Sequence, residues 1–214
     1  MRKIYILIAI LVLLGIVGCK RADSQYTTED SNTDSIAILS IYSYNGESES
    51  KYFIYSLGHS FMSIENITSS DITFFNYTLS PAELITFSWW GINRHMGIWF
   101  NMESNYINLY NRYTERYSVD TYLTETGINA IEEYMESNDY YTPFKNCAKM
   151  TVDCWNEVSP NTIDLGAIAT PSKLLTVIKK FPNFQYEKEI KLIEKIGYFK
   201  GTEFIQYEME QQNA

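Results

Sequence analysis

Residues 36 to 214 predict a single α+β domain. Three observations carry this. Segments rich in aromatic and β-branched residues, the composition of strands, stand at both ends of the stretch. Segments with apolar residues at helical spacing lie between them. About 180 residues of globular composition, with no internal repeat, suit one core. Strands flanking a block of helices give the α+β class.

Ahead of the domain the chain reads MRKIYILIAILVLLGIVGCK. Arg2 and Lys3 make a short basic start, Ile4 to Val17 is apolar apart from Tyr5 and Gly15, and Gly18 and Cys19 follow. This is the layout of a secretory signal, here residues 1–18. The alternative is an uncleaved anchor, but about 15 apolar residues fall short of the ~20 that span a bilayer comfortably. Ile16-Val17-Gly18-Cys19 resembles the lipobox of bacterial lipoproteins. That resemblance implies that Cys19 is acylated, becomes the mature N-terminus and anchors the chain in the membrane of a bacterial cell envelope, on an extracytoplasmic side. Residues 19–35, almost without large apolar side chains and rich in Ser, Thr and Asp, read as a flexible polar tether.

The elements follow in order. IAILSIYSY (36–44) is the first predicted strand. KYFIYSLGHSFMSIEN (51–66) is mostly a second, ITSSD a turn, and DITFFNYTL (71–79) a third. A hairpin centred near Thr68 and Ser69 would put His59, Phe61 and Ser63 on one face with Phe74, Asn76 and Thr78. LTETGINAIEEYMESND, from Leu123, predicts a helix capped by Thr124 with the stripe Ile128, Ile131 and Met135. KNCAKMTVDCWNEVS (145–159) predicts a second helix, with Asn146 as its N-cap and Pro143 just ahead. TPSKLLTVIKKF (170–181) predicts a third, with Pro171 at its first position and Lys179 and Lys180 in its last turn. Residues 185–207 return to strand or hairpin, with Gly197 and Gly201 as turn or bulge signals, and EMEQQNA reads as a frayed tail.

Charge excludes one class of partner. Without Arg2 and Lys3, 15 basic residues face 26 acidic ones, a formal −11. Such a surface repels nucleic-acid backbones and anionic lipid heads, so membrane affinity has to come from the lipid on Cys19. The 18 tyrosines suit either a sugar- or peptide-binding surface or half-buried packing in strands. There is no phosphate-binding glycine loop, no serine-nucleophile elbow and no spaced metal cluster, and no cofactor is expected.

Two cysteines remain in the domain. Seven residues of helix rise ~10.5 Å, too far for the ~4.4–6.8 Å between bridged Cα atoms, so Cys147 and Cys154 cannot pair within one helix. Cys154 sits in the middle of the face formed by Cys147, Met150, Thr151, Cys154, Trp155 and Val158, and reads as a small buried hydrophobe. Cys147 opens the helix, where the positive dipole end favours thiolate. It either begins the apolar stripe or is a nucleophile. A cysteine nucleophile needs a base, and only His59 and His95 are present. His59, on a strand after Gly58, is the first candidate, with Asn76 as the diagonal neighbour that orients its ring and Asn66 behind it. His95, flanked by Gly91, Asn93 and Gly97 and beside Arg94, reads as a solvated loop or strand-start residue. A zinc held by His59, His95 and Cys147 is a further alternative.

A histidine on a strand, then a second strand, then Asn-Cys at a helix start resembles the circularly permuted papain-like families, among them NlpC-type envelope amidases and lecithin retinol acyltransferase-like proteins. The matching pieces are GHSFMSIEN (58–66) and KNCAKMTVDCWNEVS (145–159), with WGINRHMGIWFNME (90–103) between them. The resemblance implies an antiparallel sheet packed on a helix with the cysteine at its N-terminus, Cys147 as nucleophile and His59 as base. It implies a cysteine hydrolase or acyl-transfer enzyme acting on cell-wall peptides or another amide or ester. Ala148, Lys149 and Met150 depart from the family, in which small residues and an aromatic often follow the cysteine. The alternative within the same fold is a catalytically inactive envelope binding module, supported by Trp89, Trp90 and Trp99; a third possibility is a component of an envelope or self-protection system whose partner is another protein.

Overall fold

The computed structural model describes residues 26–27, 33–46, 58–92, 94–200 and 203–208. The expected signal 1–18 and the acylated Cys19 lie outside the described residues, as does most of the tether. Two residues of the tether, 26 and 27, touch the domain. Tyr26, the one aromatic residue of 19–35, stacks on Phe181 with centroids 3.9 Å apart. Beside it Thr27 exchanges hydrogen bonds of 3.1 Å and 3.0 Å with the Asn161 side chain. No described helix is long and apolar enough to cross a membrane.

The chain is α+β, as expected. The strands are β1 (Ala37–Tyr44), β2 (His59–Asn66), β3 (Ile72–Phe74), β4 (Tyr77–Leu79), β5 (Leu84–Ile92), β6 (His95–Phe100), β7 (Tyr117–Leu123), β8 (Gln185–Tyr186), β9 (Gly197–Lys200) and β10 (Glu203–Gln206). The helices are α1 (Met102–Tyr110), α2 (Glu125–Ser137), α3 (Cys147–Val158) and α4 (Pro171–Ile178). Eight strands form one antiparallel sheet in the order β10-β9-β6-β5-β2-β1-β7-β8, while β3 and β4 pair only with each other.

The expected hairpin between 51–66 and 71–79 does not form. β2 is buried along its whole length except at Glu65, so it needs a neighbour on each edge, and it finds β1 and β5. The segment 71–79 instead folds on itself at Phe75 and Asn76, with φ of 47° and 56°. Two consecutive residues in the left-handed region make the tight turn that matches strand twist.

α2, α3 and α4 cover one face of the sheet. Leu39, Ile41, Met62, Ile64, Phe87 and Val119 meet Ile131, Met135, Met150, Cys154, Trp155 and Leu174 there. The alternate residues of the same strands, Tyr42, Tyr44 and Phe61, form a smaller cluster on the other face with Tyr113 and Ile190, joined by Tyr106 and Ile107 of α1.

Residues 185–207 are not one continuous hairpin. β8 is two residues long, residues 187–196 run as an irregular strap, and only 197–206 pair as β9–β10. Gly197 opens β9, where an added Cβ would sit 2.4 Å from the Ile205 carbonyl oxygen. α1 holds the strap with a polar stripe. Asn101, Asn105 and Asn108 donate Nδ2 to the carbonyls of Lys195, Ile193 and Ile190 at 2.8, 2.6 and 2.9 Å, and Ser104 donates Oγ to that of Lys191 at 3.1 Å. These bonds satisfy the buried backbone that a strap without a strand partner would leave open.

Candidate active site

Strand splay creates the site. The β2–β5 ladder runs from Glu65↔Leu84 to Met62↔Phe87, whereas β1 stays paired with β2 as far as Tyr44↔His59. His59 and Ser60 therefore lie beyond the β5 side of the ladder. The backbone of Ser60 is satisfied by other means. Its carbonyl accepts from Ser88 Oγ at 2.8 Å, and its N–H favours negative charge on the Cys147 sulfur. Gly58 brings the chain into β2 with φ +74°, and a Cβ there would sit 2.5 Å from the Tyr44 carbonyl oxygen. Gly58→Ala is expected to cost about 1–3 kcal/mol of stability and to displace His59, read as a lower Tm and slower reaction of Cys147.

Cys147 is the first residue of α3, as the sequence predicts. The side chain of Asn146, in extended conformation, accepts from the Lys149 N–H at 3.1 Å and donates to the carbonyls of Pro143 and Ala169 at 3.2 and 3.0 Å. This cap fixes where the helix starts, and with it the thiol. α3 packs across β1, β2 and β5, so its leading end meets the open end of the ladder.

There the Cys147 thiol and the His59 imidazole line one cleft, close enough that each shifts the other's protonation. Burial pushes the thiol up, but the His59 charge and hydrogen bond, with the N–H groups of Ser60 and Ala148, outweigh it and leave the thiol below its ordinary value. Burial likewise disfavours the imidazolium, and the adjacent Cys147, then Glu103, lift His59 from 6.5 to about 9. The two shifts favour a thiolate–imidazolium pair. Cys154, fully buried, is pushed well above the ordinary thiol value by burial and then by Asp153 and Glu157. Lys149 turns away and pairs with Asp153 one turn on, so it neither blocks the thiol nor charges it.

The third polar group is Glu103 of α1, which the sequence reading missed. Its carboxylate is fully buried. Oε1 accepts from His59 Nε2 at 3.0 Å and from Trp90 Nε1 at 2.7 Å, and Oε2 from Thr86 Oγ1 at 3.3 Å. With Nε2 engaged, Nδ1 is the ring nitrogen left for the thiol. The rings of Trp90 and Tyr113 lie 4.6 and 5.4 Å from the imidazole and hold it in place.

Asn76, expected to orient His59, does not do so. It sits in the β3–β4 turn, lining a separate cavity of about 540 Å³ with Glu125, Glu132 and Glu136. Asn66 is at the far end of β2, where its amide serves the carbonyls of Ser70 and Leu79 and the N–H of Thr68. His95 pairs with Asp139 Oδ1 at 3.0 Å and stacks on Tyr198, so the set His59, His95 and Cys147 is not assembled. Among the described residues no group of three or more His, Cys, Asp or Glu is placed to hold a metal ion.

The thiol and imidazole open into a cleft of about 390 Å³, walled by aromatic side chains that include Tyr44, Trp89, Trp90, Tyr106, Tyr113 and Tyr141. Apart from His59 and Cys147, its lining side chains carry no ionisable acid or base other than tyrosine. Chemically the arrangement has the parts that nucleophilic catalysis requires: a thiol, an imidazole and a carboxylate bound to that imidazole, at an apolar slot. No protein-family model matches the chain, and neither a curated protein nor a solved structure matches it.

Proposed function

We propose that this chain is a lipid-anchored cell-envelope cysteine hydrolase or acyl-transfer enzyme of the permuted papain-like kind, tethered through Cys19, with Cys147 as nucleophile and His59 as acid and base. The observation that carries it is the thiol and imidazole lining one cleft, with the imidazole bound in turn to a buried carboxylate. The thiolate attacks the carbonyl carbon of an amide or ester, a C–S bond forms, and the carbonyl electron pair moves onto oxygen. Collapse expels the amine or alcohol, which takes its proton from His59. Water, deprotonated by His59, or another acceptor then releases the acyl group. Glu103, rather than Asn76, is the positioning residue that keeps the ring turned toward sulfur. The apolar cleft suits an uncharged acyl portion; cell-wall peptides are one substrate class within reach of an envelope anchor.

The test is acylation of residues 36–214 by an activated aryl ester such as p-nitrophenyl acetate, followed by mass spectrometry of the intact protein. An acyl adduct on Cys147 that Cys147→Ala abolishes is expected; labelling that ignores this substitution would end the proposal. With an amide substrate, whose amine must be protonated to leave, acylation is expected to fall on the alkaline side with a midpoint near pH 9, where His59 gives up that proton. A profile still rising through that pH would contradict the protonated imidazole.

A further inference from the structure

The chain has four tryptophans, and three of their indole N–H groups have acceptors. Trp90 donates to Glu103, Trp99 to the His95 carbonyl at 2.8 Å, and Trp155 to the Asn161 carbonyl at 2.6 Å. Trp89 is the exception. Its side chain is 1% exposed and its Nε1 is buried with no acceptor among the described residues. A buried N–H without a partner costs about 1–3 kcal/mol, a cost that packing alone gives no reason to keep.

Its position gives the reason. Trp89 follows Phe87 on the helix-facing side of β5, just past the rung where β2 and β5 separate. The leading end of α3 enters that gap, and Trp89 and Cys147 line the same cleft. We infer that the Trp89 indole N–H is an oxyanion donor, acting beside the backbone N–H of Cys147, the first of the helix. When the thiolate adds to a carbonyl, negative charge appears on an oxygen that in the free enzyme is not there. A donor left without an acceptor in the resting state is one whose bond forms only in the transition state, which is the condition for raising kcat. The inference rests on the acyl-transfer reading above and adds a residue to it.

The experiment compares two reactions of Cys147 in the wild type, Trp89→Phe and Cys147→Ala. Alkylation by iodoacetamide displaces iodide and develops no oxyanion; acylation by p-nitrophenyl acetate does. Trp89→Phe keeps an aromatic ring in the wall and removes the donor. Acylation is expected to slow by about 10²–10³ in kcat with KM little changed, while alkylation stays at the wild-type rate. Acylation at the wild-type rate in Trp89→Phe would overturn the inference and leave the acyl-transfer reading standing. Equal losses in both reactions would assign Trp89 to packing and overturn it as well. A wild type without Cys147-dependent acylation would remove both.

Discussion

His59→Ala is expected to slow alkylation of Cys147 at pH 6 by about tenfold or more and Cys147-dependent ester turnover by about 10²–10⁴. The alkylation loss follows from the proton balance of the pair. His59 and its hydrogen bond are the largest influences holding the thiol down, and without them burial dominates and pushes it up. An ordinary thiol, with a pKa of about 8.5, is well under 1% ionised at pH 6, and the greater nucleophilicity of a more basic thiolate restores only part of that loss. Turnover falls further because the leaving group also loses its proton donor. Alkylation rates that coincide at pH 6 would mean that the imidazole does not set the charge on sulfur.

Glu103 is predicted to separate charge from shape. Glu103→Ala strips the acceptor from His59, Trp90 and Thr86 at once, leaving two buried donors and one half-buried one, and is expected to cost about 2–4 kcal/mol, seen as a lower Tm. Glu103→Gln is different. The carbonyl oxygen of glutamine can still accept from both rings, and its amide group can donate to the Thr86 hydroxyl, so the fold is expected to hold. What goes is the negative charge that helps keep His59 near 9. A raised histidine contributes stability that is complete below its unfolded value of about 6.5 and is lost as pH rises through the folded value. In Glu103→Gln that loss, and the alkaline limb of turnover, should both move to lower pH, with kcat down by about tenfold or more. An alkaline limb that does not move would show that Glu103 only fills space.

The placement of Cys147 at a helix start and of His59 on a strand was legible in the sequence because each has a local signature. Asn146 caps a helix that starts at Cys147, and Gly58 precedes a histidine on a strand rich in aromatic and β-branched residues. The orienting group was not legible, for two physical reasons. The strand that 71–79 seemed to supply breaks at two left-handed residues, which sends Asn76 elsewhere. α1, which carries Glu103, shows no apolar stripe at helical spacing, because the residues it buries include Glu103, Ser104 and Asn105. A helix that turns polar side chains inward, toward a carboxylate site and a strap of backbone, reads like a loop when hydrophobic period is the signal. Glu103 does close the segment WGINRHMGIWFNME, which lies between the two pieces that carry the family resemblance. β7 also went unread, since its alternation is carried by Val119, Thr121 and Leu123 rather than by a run of large apolar residues.

The thiolate–imidazolium pair is most directly tested by following thiolate absorbance against pH in the wild type and subtracting the same titration of Cys147→Ala, which retains Cys154. The account predicts a Cys147 signal that persists below the ordinary thiol value of about 8.5 and that moves above it in His59→Ala. A Cys147 thiol that ionises at or above that value in the wild type would contradict it.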